Sequence, residues 1–308
     1  MGAHKNILVS KNFLEDLYYT QGLNQSETAS KLNCDRSLVY YFLNKYGIKR
    51  KTQSECNIRY ERKKFDGTLL EKAYMLGFRT GDLHIKYLHP SKTTIHVDMG
   101  CAINSSEIKI FNELFQKYGH ISQCLDSGAL KLWVSLDPSF SFLIRKIKSI
   151  PNWIYEDKNL FFAFFTGYFD AEGYIKLSKP PGMVIASKDY GVLRDAFNKL
   201  CEYGYHPLSS FYNRGKYEIK RLDIRRVNEI KKLSNELISF SLHDEKKRKM
   251  VEAQKLVNKK HEYNLLLQTK VKEVKKLVAT QTSITKACKA VGIPQRTYYK
   301  LRTKIHPE

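Results

Sequence analysis

Two carboxylates, Asp82 and Glu172, stand at the same place in two related stretches of a 308-residue chain. Asn159–Ile175 reads NLFFAFFTGYFDAEGYI, and Glu71–Ile85 reads EKAYMLGFRTGDLHI. Each stretch sets one small residue four positions before another, Gly77 before Gly81 and Gly167 before Ala171, and places its acid one step later. Residues four apart share a helix face, and a glycine inside a helix costs about 1 kcal/mol relative to alanine. That cost is tolerated where a backbone must come close to something, here the other helix. Two such helices packed side by side bring Asp82 and Glu172 together at their common end. Crowded carboxylates repel unless a cation sits between them, and hard oxygen ligands suit Mg²⁺. Two acids beside such an ion make a site for phosphodiester cleavage.

The run Phe165–Gly173, FTGYFDAEG, resembles the signature of the LAGLIDADG homing endonucleases. Met75–Leu83, MLGFRTGDL, looks like a second copy that departs at its sixth position, where Thr80 replaces an acid, and at its last, where Leu83 replaces glycine. The eighth-position acid is present in both. The resemblance implies an α+β fold, a pseudo-twofold αββαββα repeat with antiparallel β-saddles whose motif helices form the seam. It implies that Asp82 and Glu172 hold Mg²⁺, with Mn²⁺ or Ca²⁺ able to substitute for binding, and that the backbone carbonyls of Gly81 and Ala171 complete the shell. It implies a site-specific double-strand DNA endonuclease that leaves short 3′ overhangs and acts as a monomeric pseudo-dimer. Family members often carry a lysine aimed at the scissile phosphate near the end of the element that here begins SLHDEKKRKM. The resemblance implies Lys246 or Lys247 for that place and Lys146 or Lys148 as the first-half counterpart, against the alternative of a plain solvated basic helix.

The composition agrees with a polyanionic partner. Lys and Arg number 53 against 31 Asp and Glu, a net charge of +22, with 20 Tyr and 16 Phe interleaved. Six scattered cysteines form no Cys-x-x-Cys pair, which argues against a zinc site or a disulfide framework and fits a reducing cytosol. The nine histidines show no ligand-like spacing. No signal peptide opens the chain, and the longest apolar run, Leu160–Phe165, is too short to span a bilayer. The termini lack the Cys or Ser and the His-Asn of an intein, so the chain reads as free-standing, cytoplasmic and DNA-associated.

Five segments follow. Residues 1–50 read as a helix-turn-helix: Gly22 breaks the chain, Ser26 starts a short helix, Asn33-Cys34-Asp35 turns, and a second helix runs from Arg36. Placed in a major groove, that helix offers Arg36, Ser37, Tyr40 and Lys45, and Lys49-Arg50-Lys51 suits a phosphate-tracking arm. A protein-binding helical hairpin is the alternative. Residues 51–66 read as a basic linker.

Residues 67–158 and 159–262 are the two halves. In the first, a hairpin over 84–98 is broken at Pro90-Ser91, a helix from Ser105 or Ser106 ends before Gly119, and a second hairpin turns at Asp126-Ser127-Gly128. Asp137-Pro138 then opens a helix to about Lys148. FNELFQKYG from Phe111 is answered by FNKLCEYG from Phe197, and a hairpin turning at Asn213-Arg214-Gly215 recurs. Charged and apolar residues alternate in the return strand, so one sheet face is polar and able to read base edges. Lys131, Arg214, Lys216 and Lys220 are its candidates, against the alternative of a solvated face.

Residues 263–308 read as a second helix-turn-helix, with 259–272 a hinge or connecting helix. Ser283 starts one helix, Gly292 ends it, and Pro294 enters the last. Gln295, Arg296, Thr297, Tyr299 and Lys300 are the candidate readers. A transcription regulator on a retired nuclease scaffold and an RNA maturase are the competing functions. The two helix-turn-helix units favour duplex DNA over RNA.

Overall fold

The computed structural model describes residues 9–51, 60–88, 90–126, 128–178, 180–214 and 217–302. The chain divides into two compact units. One takes the described residues of Met1–Asp66 with His84–Ile103 and Phe111–Arg145; the other takes Gly67–Leu83, Asn104–Ile110 and Lys146–Glu308.

The first unit begins with α1 (Lys11–Glu15), a π-helical turn (Asp16–Thr20), α2 (Gln25–Lys31) and α3 (Arg36–Lys45). Leu14, Tyr18, Ala29, Val39, Phe42 and Leu43 close a small core between them. Helix α2 starts at Asn24 rather than Ser26. The Asn24 side chain accepts from the N–H groups of Ser26 and Glu27, each at 2.9 Å, and Glu27 returns a bond to the Asn24 N–H at 2.8 Å. That reciprocal capping box satisfies donors that a serine two residues later cannot reach. The end of the segment read as linker is also structured: Phe65 packs among Tyr118, Phe140 and Phe142, and its N–H donates to Ser139 Oγ at 2.8 Å.

Helix α4 (Leu69–Gly81), capped by Thr68, belongs to the second unit and leads to β1 (His84–Tyr87) and β2 (Ile95–Cys101). Then come α5 (Ser106–Phe115), β3 (Ile121–Asp126) and β4 (Ala129–Leu136). The sheet is antiparallel with order β1-β2-β4-β3. Along β4, Leu130, Leu132, Val134 and Leu136 bury while Lys131 stays exposed, the period-2 pattern of a one-sided sheet. Beyond it, the helix expected to reach Lys148 is only a 3₁₀ turn, Pro138–Leu143. Its two buried side chains, Phe140 and Leu143, lie three apart, the spacing that a 3₁₀ turn aligns.

The second unit continues with α6 (Asn152–Tyr155), α7 (Lys158–Glu172), β5 (Gly173–Lys176), β6 (Gly182–Ser187) and α8 (Tyr190–Glu202). Strands β7 (Leu208–Arg214) and β8 (Tyr217–Ile224) and helix α9 (Val227–Ile238) complete it. This sheet, β5-β6-β8-β7, repeats the order of the first. The turn residues Ser127 and Gly215, and the candidate Lys216, lie outside the described residues.

A single helix of 36 residues, α10 (Asp244–Ala279), then runs from the second half into the tail, so 259–272 connects without a break. Helices α11 (Ile284–Val291) and α12 (Gln295–Leu301) pack on its far end around Val271, Val274, Ala287, Cys288, Ile293 and Tyr298. Gly292 stops α11 at φ +68°, a left-handed conformation open to glycine.

Candidate active site

Helices α4 and α7 meet backbone to backbone. A Cβ on Gly77 would lie 2.0 Å from the Phe164 carbonyl oxygen, and one on Gly167 would lie 2.2 Å from that of Tyr74. Nothing larger than glycine fits at either crossing. One turn on, a Cβ on Gly81 would lie 2.4 Å from Ala171 Cβ and 2.9 Å from Glu172 Cγ. The four-residue spacing of small residues therefore does what it promised, and the two helices end together.

Asp82 caps α4, its N–H donating to Phe78 O at 3.2 Å, and Glu172 is the last residue of α7. Burial by the surrounding protein raises both carboxyls above their usual values. On Glu172 the next largest influence is the charge of Asp82, which raises it further. On Asp82, Lys246 opposes the effect of burial and Glu107 adds to it. Two carboxyls raised in this way have the charge crowding that a small divalent cation would relieve. Among the described residues no group of three or more His, Cys, Asp and Glu is arranged to hold a metal ion. The donor set is a pair of carboxylates, which suits Mg²⁺, an ion that keeps several waters and takes one or two carboxylates from the protein.

Of the two candidate lysines, Lys246 is the one beside the acids. It lies half-buried, and its ammonium donates to Phe169 O at 3.0 Å and to Asp170 O. Burial lowers its pKa, while Asp170, Asp82, Glu107 and Glu172 all pull it back up. It closes the carbonyl end of α7, where a cation is favoured. Lys247 makes a different contact, its N–H donating to His243 O at 2.9 Å. Lys146 stands on the side of the other acid: its ammonium pairs with Asp189 at 3.1 Å, and its charge offsets part of the rise that burial and Asp82 impose on Glu172. Lys148 instead approaches α8 through its carbonyl, which would sit 2.0 Å from a Cβ on Gly191.

Several residues here were not singled out from the sequence. Asp170, the other motif acid, is fully buried and accepts from Tyr74 Oη at 2.7 Å, Ser241 Oγ at 2.9 Å and the Leu242 N–H at 3.0 Å. Glu107 and Asp189 each stand at the start of the helix that follows a half's first hairpin. Reading the repeat one element further would have paired them.

The nucleic-acid candidates fall into three groups. Arg36, Ser37 and Tyr40 line a cavity of about 760 Å³ together with Gln25, Arg50 and Lys51. Arg36 Nε donates to Gln25 Oε1 at 3.3 Å, and the Arg50 guanidinium stacks 4.7 Å from the Tyr40 ring. Lys45 is not part of that lining and lies against Tyr41 and Tyr46. On the sheets, Lys131 is exposed and faces Cys124 and Gly100 across the strands, Lys220 leans on Phe211 at 5.5 Å, and Arg214 closes β7. In the tail, Gln295 Nε2 donates to Thr285 Oγ1 at 2.9 Å. Arg296, Tyr299 and Lys300 are exposed, whereas Thr297 is half-buried.

No family model and no curated protein matches the chain. Solved structures that resemble it include I-DmoI in complex with DNA and Ca, at 16% identity and TM-score 0.41 over 56% of this chain and 92% of that one. The homing endonuclease I-WcaI bound to its DNA recognition sequence aligns at 16% identity and TM-score 0.44 over 59% and 86%. The N-terminal LAGLIDADG domain of DUF199/WhiA aligns at 12% identity and TM-score 0.41 over 56% and 84%.

Proposed function

We propose that the chain is a site-specific, Mg²⁺-dependent DNA endonuclease that cuts both strands of a duplex. The observation that carries the reading is the junction of α4 and α7, where Gly81 abuts Ala171 and the Glu172 carboxyl is raised first by burial and then by the charge of Asp82. Asp82 and Glu172 hold the ion, assisted by the backbone carbonyls of Gly81 and Ala171. A divalent ion bound there supplies charge neutralisation at a scissile phosphate and a more acidic water. Lys246, fixed on the end of α7, offsets negative charge that builds in the transition state. Helix α3 contacts the duplex through Arg36, Ser37 and Tyr40, and helix α12 through Gln295, Arg296, Tyr299 and Lys300. With a net charge of +22, binding weakens steeply with salt as phosphate contacts release counterions. The protein acts as a monomer.

One observation favours a second reading, a DNA-binding regulator that no longer cuts. Thr80 stands where the other copy has an acid, and its hydroxyl donates back to Leu76 O at 2.9 Å within its own helix. The experiment incubates the protein with Mg²⁺ or Mn²⁺ and a plasmid carrying its gene's insertion locus, beside Asp82→Ala and Glu172→Ala. The nuclease reading expects cutting by the native protein and a loss of at least about a thousandfold in either variant. Tight binding without cutting leaves the regulator.

A further inference from the structure

The two acids of the junction are served by lysines held in different ways. Lys246, near Asp82, is tied to carbonyls at the end of α7. Lys146, near Glu172, is held by a carboxylate, Asp189, at 3.1 Å. Asp189 is itself fixed: it stands at the N-terminus of α8, and Ser187 Oγ donates to its Oδ2 at 3.0 Å. The strand register places it beside the motif. Gly173 pairs with Ile185, so the end of β6 that carries Ser187 runs alongside the end of α7. Next to the ion pair opens a cavity of about 310 Å³, lined by Lys146, Lys148, Lys188, Asp189 and Gly191 among others. Three lysines about a space of that size, next to an acid of the junction, suit a phosphodiester oxygen better than any neutral ligand. Lys146 keeps an exposed side chain, so its ammonium is able to reach such an anion while its partner sets its direction.

We propose that Asp189 is a positioning residue that holds Lys146 ready for a DNA phosphate entering this cavity beside Glu172, and that the two strands are therefore cut by unequal half-sites. The inference rests on the nuclease reading. The strand served by Glu172 depends on a carboxylate-held lysine, and the strand served by Asp82 does not. Removing the Asp189 charge frees Lys146 to wander and slows one strand alone.

The test follows each strand of an end-labelled duplex under Mn²⁺ in the native protein, Asp189→Asn, Asp189→Glu, Lys146→Met and the double variant Asp189→Asn/Lys146→Met. In parallel, amine labelling read by mass spectrometry compares Lys146 with Lys148 in each protein that keeps Lys146. Expected is a loss of roughly 10–100-fold on one strand in Asp189→Asn, with the other strand and DNA affinity within about threefold. Asp189→Glu restores most of the rate, and the double variant is no slower than Lys146→Met. Lys146 labels more slowly than Lys148 in the native protein and at a similar rate in Asp189→Asn. Equal slowing of both strands, multiplicative losses in the double variant, or unchanged Lys146 labelling overturns this inference and leaves the nuclease standing. A native protein that cuts neither strand ends both.

Discussion

At the sixth place of the motif the two central helices part company. On α7 that place holds Asp170, which gathers Tyr74 from α4 and Ser241 and Leu242 from the approach to α10. On α4 it holds Thr80, which is fully buried and bonds within its own turn. At the eighth place the copies agree, with Asp82 and Glu172 at the joined ends. The contrast separates two duties that the motif's two acids look alike in performing. The sixth-place acid ties elements together, and the eighth-place acid is the one available for chemistry. Loss of the sixth-place acid from α4 therefore costs a staple and leaves the carboxylate pair intact.

The places where the copies match set the largest effect. Gly77→Ala and Gly167→Ala each drive a methyl into opposing backbone at 2.0 and 2.2 Å. Both are expected to lose about 3 kcal/mol or more in denaturant melts, by similar amounts. A large difference between them would break the claim that the seam is symmetric. Next comes the place where the copies differ. Asp170→Ala strands three donors in a buried setting and is expected to cost about 3 kcal/mol, whereas Thr80→Val removes one local bond and costs about 1 kcal/mol or less. Equal costs would show that the two sixth-place residues do the same work.

The smallest effect concerns the eighth place and carries a pH sign. Glu172 holds its proton more tightly in the folded state than in the unfolded chain. Its ionised form therefore lowers metal-free stability at neutral pH, and that cost disappears as pH falls and the carboxyl is protonated. Glu172→Gln is expected to stabilise the metal-free protein by about 1 kcal/mol or less near pH 8, with the gain fading toward about pH 5. Urea melts in EDTA across that range measure it. A gain that grows on acidification has the wrong sign for a crowded carboxylate.

The seam and its acids were legible because they depend on spacing within one helix, and that spacing survives as a written pattern. The two hairpin-helix halves were legible for the same reason, through the repeated FNxL stretch and the alternation of strands such as β4. Asp170 shows what was not legible. Its partners Tyr74, Ser241 and Leu242 lie 96, 71 and 72 positions away, so its role exists only once the chain has folded. Asp189 and Glu107 carry no distinguishing mark in the sequence, because an acid at the start of a helix is favoured in any protein. Asn24 and Ser26 are both good capping types, and only the reach to Glu27 decides between them. The helix expected after Pro138 failed because its apolar residues have the spacing of one tight turn.

Helix α10 joins the neighbourhood of Lys246 to the tail with no break. At 1.5 Å of rise per residue, the 25 steps from Lys246 to Val271 span about 38 Å, close to one repeat of B-form DNA. A rod sets phase as well as distance. One residue inserted at its middle would swing α11 and α12 by about 100°, while seven would return them nearly to their original bearing about 10 Å further along. Insertion length thus becomes a dial on the tail's angular register, with the junction of α4 and α7 left untouched.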